Sequence, residues 1–309
     1  MPVKLTILGS SSALPTSERN PSAHVLNVHE RYFLIDCGEG TQMQLRRNRI
    51  RFSKIHDIFI SHLHGDHVFG LYGLLSTLSL LGRKIPLNLY APQNYGILLK
   101  NHLADFDIHL SYEINFIPLS GKDPVTIYDD KYMSVTSFPL DHRVPSFGFL
   151  FREKPGERKI RKEAISSLSI PLHRIRSIKG GADYIDADGK VIKNDDITEP
   201  GPDPVSYAYC SDTRYFKRLP TFFKNVTLLY HEATFDSDKH ELAKITGHST
   251  TTDAAKVALE AGAGTLVIGH FSSRYKATDN LVTEASAIFP RTFAATEGKT
   301  YDLSDLNSL

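Results

Sequence analysis

Residues 60–70 read ISHLHGDHVFG, and this stretch determines how the rest of the chain is interpreted. It follows the apolar run IHDIFI and contributes four polar side chains: His62, His64, Asp66 and His67. Imidazole and carboxylate groups at this density are typical of a metal site. A tight turn would let the first two histidines face one ion while the aspartate and the last histidine face a second. Gly65 is expected to permit the sharp path between the two pairs.

The bulk composition is that of an ordinary globular protein. The chain has 309 residues, of which 41% are hydrophobic and 23% charged, and its formal net charge is +1. This charge neither supports nor excludes a nucleic-acid partner. Two cysteines form no disulfide framework and fit a reducing compartment. The sequence has no signal-peptide pattern ahead of Val3 and no apolar run long enough for a bilayer, so we expect a cytoplasmic protein without a membrane segment.

Predicted strands and helices alternate along most of the chain. Apolar runs predict strands at 3–9, 23–28, 32–36, 55–60, 87–91, 132–140, 146–151, 205–212, 226–233 and 265–270. Helical spacing and capping residues predict helices at 40–48, 68–82, 94–102 and 249–263. This alternation indicates an α/β fold.

Further polar residues follow the ends of later predicted strands: His142, Asp212, His231, Glu232 and His270. In open α/β sheets ligands bind at the carboxyl edge of the strands, so we expect these residues to share one site with the opening motif. Imidazole and carboxylate together suit Zn²⁺, with Mn²⁺ or Fe as competitors, and a carboxylate such as Asp212 can bridge two ions. Two ions roughly 3.5–4 Å apart activate a water and hold the phosphoryl oxygens of an in-line displacement.

Residues 153–204 differ from the rest of the chain. Residues 153–180 carry eight Lys/Arg against three acids, and residues 181–204 carry two against seven. A long segment of this kind is either a functional excursion or a disordered linker. The basic half includes Arg158, Lys159, Arg161, Lys162, Arg174, Arg176 and Lys179. Such charges bind phosphates without reading sequence, although a solvated loop is the alternative interpretation.

The motifs taken together resemble a known family. SHLHGDH at 61–67 is similar to the signature of the metallo-β-lactamase superfamily, and in particular to members that bind two metals. Narrower segments, in chain order, are LGSSSALPTSERNPSA, FLIDCGEGTQMQL, DHRVPSFGF, CSDTRY, HEATF, GHST and GHFSSRY. In this order they resemble the ribonuclease Z family over nearly the whole chain. The resemblance implies an αββα sandwich, with residues 1–309 as a single domain and 153–204 as an inserted flexible arm.

The resemblance also implies a role for each site residue. His62, His64 and His142 would hold one zinc, and Asp66, His67 and His270 would hold the other, with Asp212 as the bridge. The catalytic residues implied are Asp66, His248 and Glu232. The aspartate would act as the acid/base tied to the attacking water. The histidine would donate a proton to the leaving 3′-oxygen, oriented by the glutamate.

The activity implied is that of a zinc-dependent endoribonuclease acting on precursor tRNA. It would remove the 3′ trailer and leave a 3′-hydroxyl on the tRNA and a 5′-phosphate on the trailer. Two Zn²⁺ per subunit are implied, with Mn²⁺ as the alternative, in a homodimer whose arm grips the tRNA elbow. Two other functions stay open: a metallohydrolase of small esters, which would need no arm, and a metal-stabilised RNA-binding protein without turnover.

Overall fold

Two seven-stranded β-sheets provide the frame of the molecule, which we describe over residues 3–306 of a computed structural model. In chain order the strands are β1 (Val3–Gly9), β2 (Ala23–Val28), β3 (Arg31–Ile35), β4 (Ile55–Phe59), β5 (Leu87–Pro92), β6 (Ile114–Leu119), β7 (Val125–Asp129), β8 (Met133–Leu140), β9 (Ser146–Glu153), β10 (Lys159–Ile160), β11 (Tyr184–Ile185), β12 (Val191–Ile192), β13 (Thr198–Glu199), β14 (Ser206–Cys210), β15 (Leu228–Glu232), β16 (Thr265–Gly269), β17 (Thr292–Ala294) and β18 (Thr300–Asp302).

The helices are α1 (Thr41–Arg47), α2 (Gly65–Leu80), α3 (Tyr95–Asp105), α4 (Lys162–Ser167), α5 (Leu172–Lys179), α6 (Asn194–Ile197), α7 (His240–Thr246), α8 (Thr251–Ala261), α9 (Asp279–Ser286) and α10 (Leu303–Leu306). Short 3₁₀ turns lie at Phe52–Lys54, Leu219–Phe223 and Ser237–Lys239. Within residues 3–306, no helix combines the length and the apolar character that a membrane crossing requires.

The two sheets share one design, with parallel strands whose carboxyl ends meet at an edge. The first has the order β18-β1-β2-β3-β4-β5-β6, and β3 to β6 are parallel. The second has the order β17-β16-β15-β14-β9-β8-β7, and β14 to β17 are parallel. Carboxyl ends of parallel strands lie at the same edge of a sheet, so residues that follow β14, β15 and β16 are brought together.

Helices cover the outer face of each sheet, and aromatic side chains fill the space between the sheets. Buried leucines of α2 pack on the first sheet, and alanines of α8 pack on the second. Phe59 of β4 lies 5.4 Å, between ring centroids, from both Phe149 and Phe151 of β9. Helix, sheet, sheet and helix therefore follow one another as layers, which confirms the predicted αββα architecture.

The turn between β2 and β3 shows how local sequence sets the first sheet. His29 and Glu30 both have positive φ, at 51° and 70°. Two consecutive residues in this region form the hairpin turn whose twist matches that of the flanking strands. The Asn27 side-chain oxygen accepts a hydrogen bond from the Glu30 backbone N–H at 2.9 Å. The predicted hairpin is present, and the polar side chain supports a turn that lacks glycine.

Residues 130–133 and 152–204 form a compact unit separate from the rest of the chain. In it β10 pairs with β13, β11 pairs with β12, and α4, α5 and α6 complete the structure. Its small core contains the buried residues Ile170, Ile178, Tyr184 and Ile197. Sequence patterning missed these elements because strands of two residues and helices of one or two turns carry too little periodicity.

Candidate metal centre and active site

The opening motif spans a loop and the first turn of a helix. His62 follows β4 and is fully buried, and His64 occupies the position before α2. Asp66 and His67 lie in the first turn of α2, which therefore begins three residues earlier than the apolar spacing predicts. A carboxylate in the first helical turn is stabilised by the helix dipole.

The expectation for Gly65 is wrong in its reason. This glycine is the first residue of α2 and is not among the glycines with positive φ. A Cβ added there would lie 2.3 Å from the ring of Phe69. A side chain at position 65 would therefore displace the exposed Phe69 ring, and the turn itself needs no left-handed backbone.

Three imidazole nitrogens converge at the first predicted metal position. His64 Nδ1 lies 3.1 Å from His62 Nε2 and 3.2 Å from His142 Nε2. Two nitrogens that bind one tetrahedral zinc at about 2.0–2.1 Å would lie roughly 3.3 Å apart. The spacing of these three atoms is thus the spacing of ligands that share an ion.

A second triangle of ligand atoms lies beside the first. His270 Nε2 is 3.3 Å from His67 Nε2 and 3.2 Å from Asp66 Oδ2, and the histidine and the aspartate of the motif are 3.4 Å apart. All three side chains are buried or nearly so. The motif residues separate into the two pairs that the sequence predicts.

Asp212 lies between the two triangles and presents one oxygen to each. Its Oδ1 is 3.2 Å from His270 Nε2 and 3.4 Å from His67 Nε2, while its Oδ2 is 3.5 Å from His62 Nε2. Among the described residues Oδ1 has no hydrogen-bond partner, although the side chain is buried. Burying a carboxylate oxygen without a hydrogen-bond donor costs free energy, and a cation bound beside Oδ1 would offset that cost.

Four of the histidines are held through their Nδ1 atoms, which leaves Nε2 facing the site. His67 Nδ1 lies 2.7 Å from Asp36 Oδ2, and His142 Nδ1 lies 2.6 Å from the Gly247 carbonyl oxygen. These oxygens only accept, so each Nδ1 carries the hydrogen. The corresponding partner oxygens are Ser61 Oγ for His62, at 3.0 Å, and Thr234 Oγ1 for His270, at 2.8 Å.

The serine and threonine hydroxyls donate elsewhere, so they too accept from the histidines. Ser61 Oγ donates to Asp36, and Thr234 Oγ1 donates to Glu232. In its neutral form, each of the four rings would therefore turn an Nε2 lone pair inward. Neutral imidazole nitrogens and carboxylate oxygens that point at one another are the groups that bind metal ions. The hydrogen bonds at Nδ1 fix the orientation of each ring as a ligand.

Asp36 is a functional residue that the sequence reasoning did not single out. It is fully buried and accepts hydrogen bonds from the Ser61 N–H and hydroxyl, from the Tyr209 hydroxyl and from His67. Burial alone would raise the pKa of Asp36, but the neighbouring His67 and these donors lower it. The signal was present, because Asp36 follows β3 at the same sheet edge as the motif.

Burial and the carboxylates act in opposite directions on the charges of the site. Burial would lower the pKa of His67, yet the Asp66, Asp212 and Asp36 carboxylates raise it well above the ordinary value. The same reasoning applies to the aspartates, since burial opposes ionisation of Asp66 but the adjacent histidines lower its pKa strongly. In the first triangle burial outweighs the carboxylates: it lowers the pKa of His62, and lowers the pKa of His64 and of His142 to about 4, so these rings are neutral, as metal ligands must be.

Glu232 and His248 form a pair at one side of the two triangles. His248 Nδ1 lies 3.0 Å from Glu232 Oε1 and 3.8 Å from Asp212 Oδ2. The glutamate is fully buried, and its oxygens accept from the backbone N–H groups of Thr213, Ser249 and Thr234. This carboxylate therefore has a fixed position and fixes the histidine ring in turn.

The charges of this pair are set by its surroundings. Burial would raise the pKa of Glu232, but His248 lowers it, so the carboxylate stays ionised. Burial would lower the pKa of His248, but Glu232 and Asp212 raise it to about 9. The imidazole is accordingly protonated near neutral pH, as a proton donor must be.

A cavity of about 390 Å³ opens over these groups. His64, Asp66, Asp212, His248 and His270 line it, together with Ser12, Ala13, Gly65, Arg143, Thr234, Phe235, Thr246 and Ser272. Ligand groups from both triangles and a protonated imidazole therefore line one cavity.

One strand-end histidine does not join the site. His231 is buried, its Nδ1 donates to the Glu232 carbonyl oxygen at 2.7 Å, and none of the ligand groups found among the described residues includes it. Neighbouring residues on a strand point to opposite faces, so Glu232 and His231 cannot both face the cavity.

Comparison with known proteins places this geometry in a family. A protein-family profile described as "Anti-Pycsar protein Apyc1" matches residues 3–155. A Ribonuclease Z from Bacteroides thetaiotaomicron is 46% identical, over 95% of this chain and 93% of its own. A Ribonuclease Z from Porphyromonas gingivalis is 42% identical, over 96% of this chain and 98% of its own.

Solved structures agree with the sequence relatives. The human tRNase Z short form superimposes with a TM-score of 0.70 at 26% identity, covering 97% of this chain and 99% of that chain. The metallo-β-lactamase fold protein YhfI from Bacillus subtilis gives 0.70 at 20% identity with the same coverage, which supports the fold. At these identities over nearly its whole length, the chain belongs to the ribonuclease Z family of endoribonucleases.

Proposed function

We propose that the protein is a zinc-dependent endoribonuclease that removes 3′ trailers from precursor tRNA. The cut would leave a 3′-hydroxyl on the tRNA and a 5′-phosphate on the trailer. The observation that carries this proposal is the pair of ligand triangles sharing Asp212, with the His248–Glu232 pair beside them. Relatives named Ribonuclease Z and a related tRNase Z structure support the substrate.

The donor set fits two divalent ions. His62, His64 and His142 would hold one, Asp66, His67 and His270 the other, with Asp212 between them. The chemistry that such a pair supplies is activation of water and neutralisation of charge on the phosphoryl oxygens. Mainly imidazole donors favour Zn²⁺, and Mn²⁺ is the alternative that metal analysis of the purified protein would distinguish.

The chain's own residues would manage the protons. Asp66 faces the cavity and would accept a proton from the attacking water. His248, protonated near neutral pH and lining the same cavity, would donate its proton to the leaving 3′-oxygen. Glu232 would keep the imidazole oriented and charged, and its own position is fixed by three backbone N–H groups.

The 153–204 segment would bind the substrate at a distance from the cut, as the arm. Two of its seven named cations are used internally, since Arg158 pairs with Asp195 and Arg161 with Glu199. Arg174 and Arg176 are exposed on α5, without an ion pair among the described residues. Exposed guanidinium groups on a helix suit the phosphates of a folded RNA, which is recognised mainly by shape and backbone.

We also propose a cytoplasmic homodimer in which the arm of one subunit serves the active site of the other. Three exposed apolar side chains support an association surface: Phe69 on α2, Ile97 on α3 and Phe106 directly after α3. Their exposed fractions are 65%, 68% and 69%. Large exposed apolar groups of this kind often mark protein contacts.

Deletion of the arm tests the proposal against a small-ester hydrolase. We expect a protein in which residues 153–204 are replaced by a short Gly/Ser linker to keep hydrolysing bis-p-nitrophenyl phosphate while cleavage of precursor tRNA collapses. The matched control is the full-length chain with His248→Ala, in which binding of precursor tRNA persists. If arm deletion leaves tRNA cleavage unchanged, the arm has no role in substrate binding.

A further inference from the structure

A second cavity lies beside the catalytic one and has no role in the chemistry described above. Its volume is about 400 Å³, within the range of roughly 300–1,000 Å³ that small-molecule sites occupy. The lining is mostly apolar, with Leu63, Pro92, Leu119, Val144, Pro145 and Phe147, and it also includes Gln93, Asn94, Ser120 and Gly121. We refer to this space as the flanking cavity.

The flanking cavity adjoins the metal centre through the chain itself. Leu63, in its wall, is the residue between His62 and His64. Phe147, also in its wall, donates its backbone N–H to the Ser61 carbonyl oxygen at 3.0 Å. The wall of the flanking cavity therefore includes one residue that lies between two predicted metal ligands in sequence, and one that is hydrogen-bonded to the residue before His62.

Arg143 links the linings of the two cavities along the chain. It lines the catalytic cavity, and the next two residues, Val144 and Pro145, line the flanking cavity. Arg143 is the one lining residue of the catalytic cavity with a permanent positive charge. In the part of the chain that the structure describes, its guanidinium has neither an ion pair nor a hydrogen bond, and it is exposed.

The backbone around Arg143 is held on both sides. His142 Nδ1 donates to the Gly247 carbonyl oxygen, and the preceding Asp141 carbonyl oxygen accepts from the Arg214 N–H at 2.8 Å. A cation without a partner on a fixed segment, at the mouth of a phosphodiesterase site, suits a phosphate.

The flanking cavity also offers polar groups without partners. The side chains of Gln93, Asn94 and Ser120 make no hydrogen bond within residues 3–306, and all three are exposed. Asn94 precedes α3 without capping it through its side chain. Amides can donate to and accept from the edge of a base, while apolar walls suit its faces.

We propose that the flanking cavity binds the nucleoside next to the scissile phosphate, with Arg143 on the phosphate that links it to the catalytic cavity. This subsite rests on the proposed function, since it presumes a polynucleotide substrate. Its ligand class is a nucleoside monophosphate unit, recognised by apolar walls, free amides and one guanidinium.

Ligand binding to the metal-loaded protein tests the subsite without turnover. Adenosine 5′-monophosphate mimics the trailer side of the cut, adenosine 3′-monophosphate mimics the tRNA side, and inorganic phosphate lacks the nucleoside. We expect one mononucleotide to bind at least about ten-fold more tightly than phosphate, the gain typical of one base contact. Calorimetry would measure all three, and the mononucleotide that gains affinity identifies the side of the cut.

Ser120→Trp places a ring at the rim of the flanking cavity and should remove that gain while leaving phosphate affinity unchanged. The double variant Gln93→Ala, Asn94→Ala should weaken binding of the mononucleotide but not of phosphate. Its control is Asn280→Ala, which changes an exposed asparagine at the start of α9. Arg143→Gln should weaken binding of both phosphate and mononucleotide, and Arg143→Lys should recover part of both affinities. Equal affinities for phosphate and both mononucleotides, or no effect of Ser120→Trp, would overturn the subsite.

Cleavage assays separate this inference from the proposed function. If the wild-type protein cuts precursor tRNA and Ser120→Trp lowers kcat/KM about ten-fold without changing hydrolysis of bis-p-nitrophenyl phosphate, both proposals stand. If the wild type cuts the precursor and Ser120→Trp is equal to it, the subsite alone is wrong. If the wild type does not cut but mononucleotide binding is lost in the variant, precursor tRNA is not the substrate, and the flanking cavity still binds a nucleoside monophosphate.

Discussion

A buried glutamate sets the charge and the position of His248, the proposed proton donor. Glu232 accepts from three backbone N–H groups, so it stays ionised at a place where burial would otherwise protonate it. Its charge then outweighs the effect of burial on His248. Removing the His248 side chain should affect the leaving-group proton and leave the metal ligands in place, whereas removing Glu232 would also release the Thr234 hydroxyl that orients His270.

His248→Ala tests this role at the level of one residue. We expect cleavage of precursor tRNA to fall by roughly 10²-fold or more, as for loss of a general acid, with RNA binding little changed. Single-turnover kinetics and a filter-binding assay would measure the two. His240→Ala, which changes an exposed histidine at the start of α7, is the matched control. An unchanged cleavage rate would exclude His248 as the proton donor.

Asp36 should govern metal affinity without touching a metal. Asp36→Asn keeps the size of the side chain but removes the carboxylate that fixes the Nδ1 hydrogen of His67. Loss of such an outer partner costs about 10–100-fold in metal affinity. Competition with a zinc chelator would measure the change, and Asp57→Asn, at a buried carboxylate of β4, is the control. Equal affinities in both variants would contradict the role of Asp36.

The buried thiol of Cys37 makes the stability of the folded protein depend on pH. Burial raises the pKa of Cys37 to about 12 from an ordinary value of 9.0. The folded state therefore keeps the proton where the unfolded state loses it, and this stabilisation is full below about pH 9 and is lost as pH rises toward about 12. Urea unfolding at pH 8 and pH 10.5 should show the decline, and Cys37→Ala should reduce it. Rapid reaction of the native protein with a thiol reagent at pH 8 would contradict burial of the thiols.

The metal-ligand candidates are predictable from the sequence, but most of the side chains that orient them are not. The ligand candidates were visible because they follow strand ends or share one short motif. The side chains that orient them are harder to predict, because Thr234 lies 36 positions from the His270 that it orients, and Tyr209 lies 173 positions from Asp36, although Asp36 itself follows a strand end. Hydrogen bonds of such long sequence separation depend on the packing of whole sheets.

At the scale of elements, long periodic segments were predictable and short ones were not. The strands around the motif and the helices α2 and α8 follow from their apolar spacing. Strands β17 and β18 have three residues each, too few for alternation to be recognised. The start of α2 was placed late, because its first turn contains the polar motif and lacks the apolar residues that mark a helix.

Helix α5 is the element through which the arm should bind RNA. Reversing charge in Arg174→Glu with Arg176→Glu should weaken binding of precursor tRNA strongly and reduce the slope of log affinity against log salt by roughly 2. Hydrolysis of bis-p-nitrophenyl phosphate should not change. Lys190→Glu, in the acidic half of the same unit, is the control. Equal salt slopes in all three proteins would place the RNA contact elsewhere.

At the scale of the whole molecule, the proposed dimer can be tested by mixing two inactive variants. One parent carries His248→Ala with an intact arm, and the other lacks residues 153–204 with an intact site. If the arm serves the partner's site, co-refolded mixtures should recover cleavage that neither parent shows. Sedimentation of the wild type should give twice the mass of the chain. A monomer, or mixtures without recovery, would contradict the arrangement.

Cleavage of one precursor tRNA with a 3′ trailer tests the central claim most directly, with product ends mapped before chelation, after chelation and after return of zinc. We expect a single metal-dependent cut next to the trailer, with a 3′-hydroxyl on the tRNA and a 5′-phosphate on the trailer. A metal-loaded protein that leaves the precursor intact while hydrolysing a small phosphodiester would contradict the claim and favour a small-ester hydrolase.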